Sequence, residues 1–182
     1  MSRINVNDLR WKVATKTKNV RAKPLISIMV DRSVLSKFLI DTLEGKEPLG
    51  DGAVVCLGES NDVWQQMPKK LLQKYNVVEI DNDGWMVCEP RPDNAVLCHQ
   101  VGPCDIEPIY YPDASGALLQ PWLSDKWKDR EFYIIGQWGE DSTEGPKQFG
   151  KIGDYICQNR DDPTDVWIVR RKIFINTYTI KE

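Results

Sequence analysis

The chain has 182 residues, 41 % hydrophobic and 28 % charged, with a net charge of −3. This suits one generous domain or two small lobes with enough apolar surface for a core. No run approaches the roughly 18 consecutive apolar residues of a membrane span, and residues 1–23 are charged, without the apolar stretch of a secretory signal. A cytoplasmic location is therefore expected. The five cysteines (Cys56, Cys88, Cys98, Cys104, Cys157) fit that location, being odd in number and free of CxxC pairs.

In chain order, residues 1–24 come first as a basic arm. They hold seven Lys and Arg (Arg3, Arg10, Lys12, Lys16, Lys18, Arg21, Lys23) against Asp8, a balance of +6, and leave 17 basic against 26 acidic residues, or −9, for the rest. Such an arm suits an anionic partner, or it docks on its own acidic body. Leu25 to Val30 reads as a strand. Residues 33–44 read as the main helix, because Val34, Leu35, Phe38, Leu39 and Leu43 recur at three- and four-residue spacing and Gly45 stands where a helix stops. Strands are expected at Ala53 to Leu57 and from Val63-Trp64. Pro68 then opens a short helical turn with Leu71, Leu72 and Tyr75 on one side. Asn76 to Ile80 and Trp85 to Cys88 flank Asp81-Asn82-Asp83-Gly84, a hairpin signal because tight turns need positive φ values that Asn, Asp and Gly accept.

Residues 89–130 are punctuated by prolines and read as an irregular connection with one strand, Ala95 to Val101. Beyond it come Phe132 to Trp138, a polar loop from Gly139 to Gln148, strands at Gly153 to Cys157 and Val166 to Val169, and a helical turn around Phe174 to Tyr178.

A faint internal repeat runs through this order. Asp62-Val63-Trp64 recurs as Asp165-Val166-Trp167, Lys69, Leu71 and Leu72 map onto Lys172, Phe174 and Ile175, and Tyr75 maps onto Tyr178. Gly52-x-x-Val55-Cys56 matches Gly153-x-x-Ile156-Cys157 two residues out of step. The expected fold is α+β and strand-rich, with two pseudo-repeated small β lobes. The expected division is a basic arm at 1–24, a first lobe at 25–88, a proline- and aromatic-rich connection at 89–130 and a second lobe at 131–182.

Within the second lobe, Lys151-Ile152-Gly153-Asp154-Tyr155-Ile156, followed by Ile173-Phe174 and Thr177-Tyr178, resembles the PGDYG-type module of small phage and prophage proteins. Ile152 and Ile156 stand where the family has proline and glycine. The resemblance covers about residues 145–180, with residues 50–80 as a degraded echo. It implies phage ancestry and a small β-rich fold, and carries no catalytic residues.

Chemistry is sparsely signalled. His99 is the single histidine, which excludes most zinc hydrolase and two-histidine designs. Cys98 and His99 are strand neighbours and face opposite ways, a poor nucleophile–base pair. Cys88, Cys98, His99 and Cys104 lack zinc-knuckle spacing. Asp81-x-Asp83-Gly84 with Glu89 lacks the ligands of a calcium loop, and there is no phosphate-cradling glycine motif or serine elbow. No cofactor, metal or catalytic residue is expected.

The expected ligand-binding residues are Arg10, Lys12 and Arg21 of the arm with Tyr110, Tyr111, Trp122 and Trp127 of the connection, since aromatics on irregular segments serve binding surfaces. The seven tryptophans point the same way, although Trp64 and Trp167 sit at equivalent repeat positions and suit core packing. The expected activity is non-enzymatic capture of a small anionic ligand, such as a nucleotide, or of a host protein. A protein-interaction module and a small enzyme using carboxylate, Tyr or Lys chemistry are the alternatives. Nucleic acid is a less expected partner, a membrane is not expected, and a homo-oligomer is possible.

Overall fold

The computed structural model describes residues 1–24, 39–42, 45–48, 50, 52–106, 129–135 and 147–181. Within them strands predominate and helices are short, so the fold is strand-rich α+β. Among the described residues no helix is long and apolar enough to cross a membrane.

One five-stranded sheet contains β2 (Lys12–Lys16), β10 (Ala95–Gln100), β13 (Tyr155–Asn159), β14 (Val166–Val169) and β15 (Tyr178–Ile180), in the order β14-β13-β10-β2-β15. A second contains β3 (Val20–Pro24), β6 (Val54–Gly58), β7 (Val63–Gln66), β8 (Tyr75–Ile80) and β9 (Met86–Pro90), in the order β7-β6-β3-β9-β8. Three strands, β1 (Ser2–Arg3), β11 (Glu131–Ile135) and β12 (Lys147–Lys151), form a smaller sheet, and β4 (Leu39–Thr42) pairs with β5 (Gly45–Pro48). The helices are α1 (Pro68–Lys74), α2 (Pro103–Ile106) and α3 (Arg171–Thr177).

The chain divides into two compact units. The first holds Met1–Ala14, Ala95–Ile175 and Ile180–Glu182, and the second holds Thr15–Asn94 and Asn176–Thr179. The division cuts through β2 and β15, so each strand contributes residues to both units.

The first unit packs Ile4, Val101, Phe132, Ile134, Ile156, Val166 and Ile168 into a core, with Trp11 and Ile106 against it. Alternation along β12 buries Gln148 and Gly150. Gln148 satisfies its amide there by donating to the Val166 carbonyl (3.2 Å) and accepting from the Ile168 amide (3.1 Å), as a buried polar side chain must. The Gly153-Asp154 pair is equally local in its logic. Gly153 takes φ +97°, which glycine adopts at no steric cost. The Asp154 carboxylate then accepts from the Lys151 amide (2.9 Å) and from the first amide of α3, Arg171 (2.8 Å). Phe174 from α3 lies flat on Tyr155, with centroids 3.7 Å apart and planes 7° apart.

The second unit packs Val20, Ala22, Val54, Cys56, Leu71, Tyr75 and Cys88, with Trp64 and Met86 against them. Pro68 begins α1, where a missing N–H costs nothing. Leu71 and Phe174, matched in the expected repeat, are both buried, whereas Leu72 (51 % exposed) and Ile175 (58 %) point outward. Leu72 therefore does not share the buried side with Leu71 and Tyr75 as the spacing suggests. Tyr75 and Tyr178 each begin the strand after the helix instead of closing the helical turn.

One further expectation is corrected. Leu39–Thr42 is a strand, with Thr42 opposite Gly45 in an antiparallel pair, so Gly45 serves a hairpin there and not a helix stop. The remainder of the expected helix at 33–44, and the strand at Leu25 to Val30, lie outside the described residues. Residues 1–24, expected as a charged arm, supply β1, β2 and β3, because Ile4, Ala14, Val20 and Ala22 alternate with the charges and are buried. Ala95–Gln100, expected as a strand inside a connection, is the central strand of its sheet.

Candidate functional site

The basic residues singled out by sequence meet different fates. Arg21 and Lys23, alternate residues of β3, both reach the hairpin between β8 and β9. Arg21 pairs with the Asp81 carboxylate and stands 5.4 Å from the Trp85 ring centre. Lys23 donates to the Asp83 carbonyl (3.1 Å) and lies 5.8 Å from the same ring. Asp81 also accepts from the amides of Asp83 (3.0 Å) and Trp85 (2.9 Å). These bonds favour the charged carboxylate, the Trp85 amide most and Arg21 next, and hold its pKa below the ordinary value against the opposing effect of desolvation. Lys18 makes a loose exposed pair with Glu59 (3.8 Å). Arg21 is thus engaged in holding a turn.

Arg10 and Lys12 lie in the first unit. The Arg10 carbonyl faces Nδ1 of His99 (2.9 Å), and Nε2 of His99 faces the Asp105 carboxylate (3.0 Å). Both ring nitrogens are occupied, so His99 has none to offer as a general base. Lys12 is exposed, and its charge draws down the Cys98 thiol, which burial nonetheless pushes up to about 11. Such a thiol is a poor nucleophile near neutrality. Tyr110, Tyr111, Trp122 and Trp127 lie outside the described residues. Among the described residues no three His, Cys, Asp or Glu side chains gather as a metal-binding group.

What the fold assembles is a different cluster, within the second unit. The Lys16 ammonium, at the end of β2, stands 4.7 Å from the ring centre of Trp64, 5.7 Å from Tyr75 and 5.6 Å from Tyr178. These aromatics begin or lie within β7, β8 and β15. Each is within the roughly 6 Å at which a ring face attracts a cation. Lys16, Trp64 and Tyr178 are half-buried and Tyr75 is buried. Desolvation above all, then the charges of Cys56, Asp62 and Cys88, pushes the Tyr75 phenol well above its ordinary value, so it stays neutral. Cys56, likewise raised by burial to about 11, accepts from the Gln66 amide (3.2 Å).

Asp62 lies alongside. Its carbonyl accepts the Gly58 amide (2.8 Å), and a Cβ on Gly58 would fall 2.0 Å from Asp62 Oδ1. Only glycine leaves room for that carboxylate. Asp62 Oδ1 is buried and has no hydrogen-bond partner among the described residues. In the turn between β13 and β14, by contrast, the Asn159 amide donates to the Asp165 carbonyl (3.0 Å) and the Asn159 side chain donates to the carboxylate (3.2 Å). The arrangement in the second unit is a cation framed by three aromatic faces, beside a carboxylate oxygen in need of a donor.

No family model, curated protein or solved structure matches the chain. Sequence reasoning named Trp64, Tyr75 and Tyr178 as landmarks of the repeat and assigned Trp64 to core packing. The match of Tyr75 with Tyr178 and of Trp64 with Trp167 in the expected repeat is the available signal, and Lys16 is among the arm residues expected, on charge alone, to meet an anionic partner.

Proposed function

We propose that this chain is a cytoplasmic, non-enzymatic binding protein that captures a small anionic ligand, a nucleotide being the class that fits. The observation that carries this reading is the Lys16 ammonium among Trp64, Tyr75 and Tyr178. Lysine supplies the charge for a phosphate, and the aromatic faces supply stacking for a base. The buried Asp62 oxygen would take an N–H of the base, which offsets the cost of leaving it unpaired. A phage or prophage origin, and capture of a host nucleotide signal, rest on the GDYI and IF-x-x-TY resemblance alone. That the two five-stranded sheets are repeats of one unit is supported by their orders. β7-β6-β3 and β14-β13-β10 correspond in position and chain order, with a short helix and then an edge strand (β8, β15) following β7 and β14, while the remaining place is filled by β9 in one sheet and by β2, from the start of the chain, in the other.

The test is thermal shift and calorimetry against mono-, di- and cyclic nucleotides. A ligand present at about 100 times its Kd adds about 2.7 kcal/mol of stability. Lys16→Gln and Trp64→Ala each weaken binding by about tenfold, the effect of losing about 1.4 kcal/mol of cation–π and stacking energy. A flat response to the panel would discard the nucleotide reading.

A second reading, a protein-interaction module, draws on β8. This edge strand of its sheet leaves Val77 39 %, Val78 50 % and Ile80 68 % exposed, and such edges are templates for pairing with another chain. Pull-down of a host protein, abolished by Val78→Lys, would support it in place of the first.

A further inference from the structure

His99 carries a second message, independent of the Lys16 cluster. Its ring sits on β10 between two acceptors. A backbone carbonyl such as that of Arg10 only accepts, so Nδ1 at 2.9 Å must bear a hydrogen. Asp105 Oδ2, 3.0 Å from Nε2, also takes the Gly102 amide at 2.7 Å. That oxygen already receives one backbone N–H, and Nε2 faces it as a second donor. A histidine with two N–H groups is the imidazolium.

We propose that His99 is a proton-operated clasp: as the cation it donates on one side to the Arg10 carbonyl ahead of β2 and on the other to the Asp105 carboxylate of α2, and losing its proton opens the Arg10 side. That side opens because a neutral ring keeps a single N–H, and a bond to a carboxylate is about twice as strong as one to a neutral carbonyl. The groups that face the ring are Asp105 from α2, Lys12 from β2 and the Arg10 carbonyl, while its opposite number on β13 is the apolar Ile156. Burial and Lys12 work against the charge. The Asp105 carboxylate and the Arg10 carbonyl outweigh them, and the pKa is held above 6.5. A folded pKa above the unfolded one stabilises the fold below the unfolded value, and that contribution is lost as pH rises through the folded one.

Because the chain has one histidine, its ring resonances need no assignment by mutagenesis. A proton and nitrogen NMR titration of the intact protein is expected to give a midpoint above 6.5, with both ring nitrogens protonated below it. The amide signals of Trp11 and Lys12 should move with the same midpoint. Asp105→Asn should lower that midpoint. A wild-type midpoint at or below the ordinary histidine value overturns the clasp without any variant. An Asp105→Asn protein that stays folded with the midpoint unmoved overturns it as well.

Discussion

At the scale of single residues, this chain uses ordinary chemistry to fix turns and hide thiols. Asp154 satisfies two backbone amides at once, one in its own turn and one at the start of α3. Asp154→Ala is expected to cost about 1–2 kcal/mol, the range of a lost helix cap, read from urea unfolding followed by tryptophan fluorescence. Gly153→Ala loses a comparable amount, roughly 1–2 kcal/mol, for a different reason. The added methyl would meet only Arg171 Cδ, at 3.6 Å, so the penalty arises from the φ of +97° and not from crowding. Four cysteines are buried and Cys104 is exposed. With the thiols of Cys56 and Cys98 pushed up to about 11, a thiol reagent at neutral pH should label one cysteine quickly. The other four should react only after unfolding.

At the scale of elements, the β8–β9 hairpin shows how a loop signal becomes a held structure. Its Asp-Asn-Asp-Gly turn is fastened from outside by Arg21 and Lys23 of β3. The Asp81 carboxyl is depressed by its bonds, so its contribution is present above the unfolded pKa and is lost as pH falls through the folded one. The stability difference between wild type and Asp81→Asn should therefore narrow in acid, measured by denaturation across pH. The α3 helix is held by its buried face. Phe174, 1 % exposed and stacked on Tyr155, should cost about 3–5 kcal/mol when changed to Ala. Ile175, 58 % exposed on the next position, should change stability by less than about 0.5 kcal/mol when changed to Ala.

At the scale of the whole molecule, neither compact unit is one continuous stretch of chain. The first takes residues from both ends and the C-terminal half, and the second takes Asn176–Thr179 from the far end of the sequence. A fragment of residues 95–182 lacks β2, the strand between β10 and β15. It should fail to fold, seen as lost dispersion in its proton NMR spectrum, although it contains β10, β13, β14 and α3 of that sheet's unit. A fragment that folded would mean that the sheet tolerates the missing strand.

The sequence by itself determined most of the local elements. Val166–Val169, the Pro68 helix and the Asp81–Gly84 hairpin follow from residue type and short spacing, because β-branched runs, an N-terminal proline and φ-tolerant turn residues act within a few positions. It misled where a local pattern had two uses. Leu39–Thr42 carries a helical spacing yet pairs as a strand with Gly45–Pro48, since partner strands contribute energy that propensity does not contain. Charge density suggested an arm in residues 1–24, while the small apolar residues between the charges place β2 and β3 inside sheets. Only tertiary structure brought Lys16, Trp64, Tyr75 and Tyr178 together, and only it set Arg10 and Asp105 on either side of His99. Those groups are separated by tens of residues in sequence, and their spacing in space is decided by which strands lie side by side.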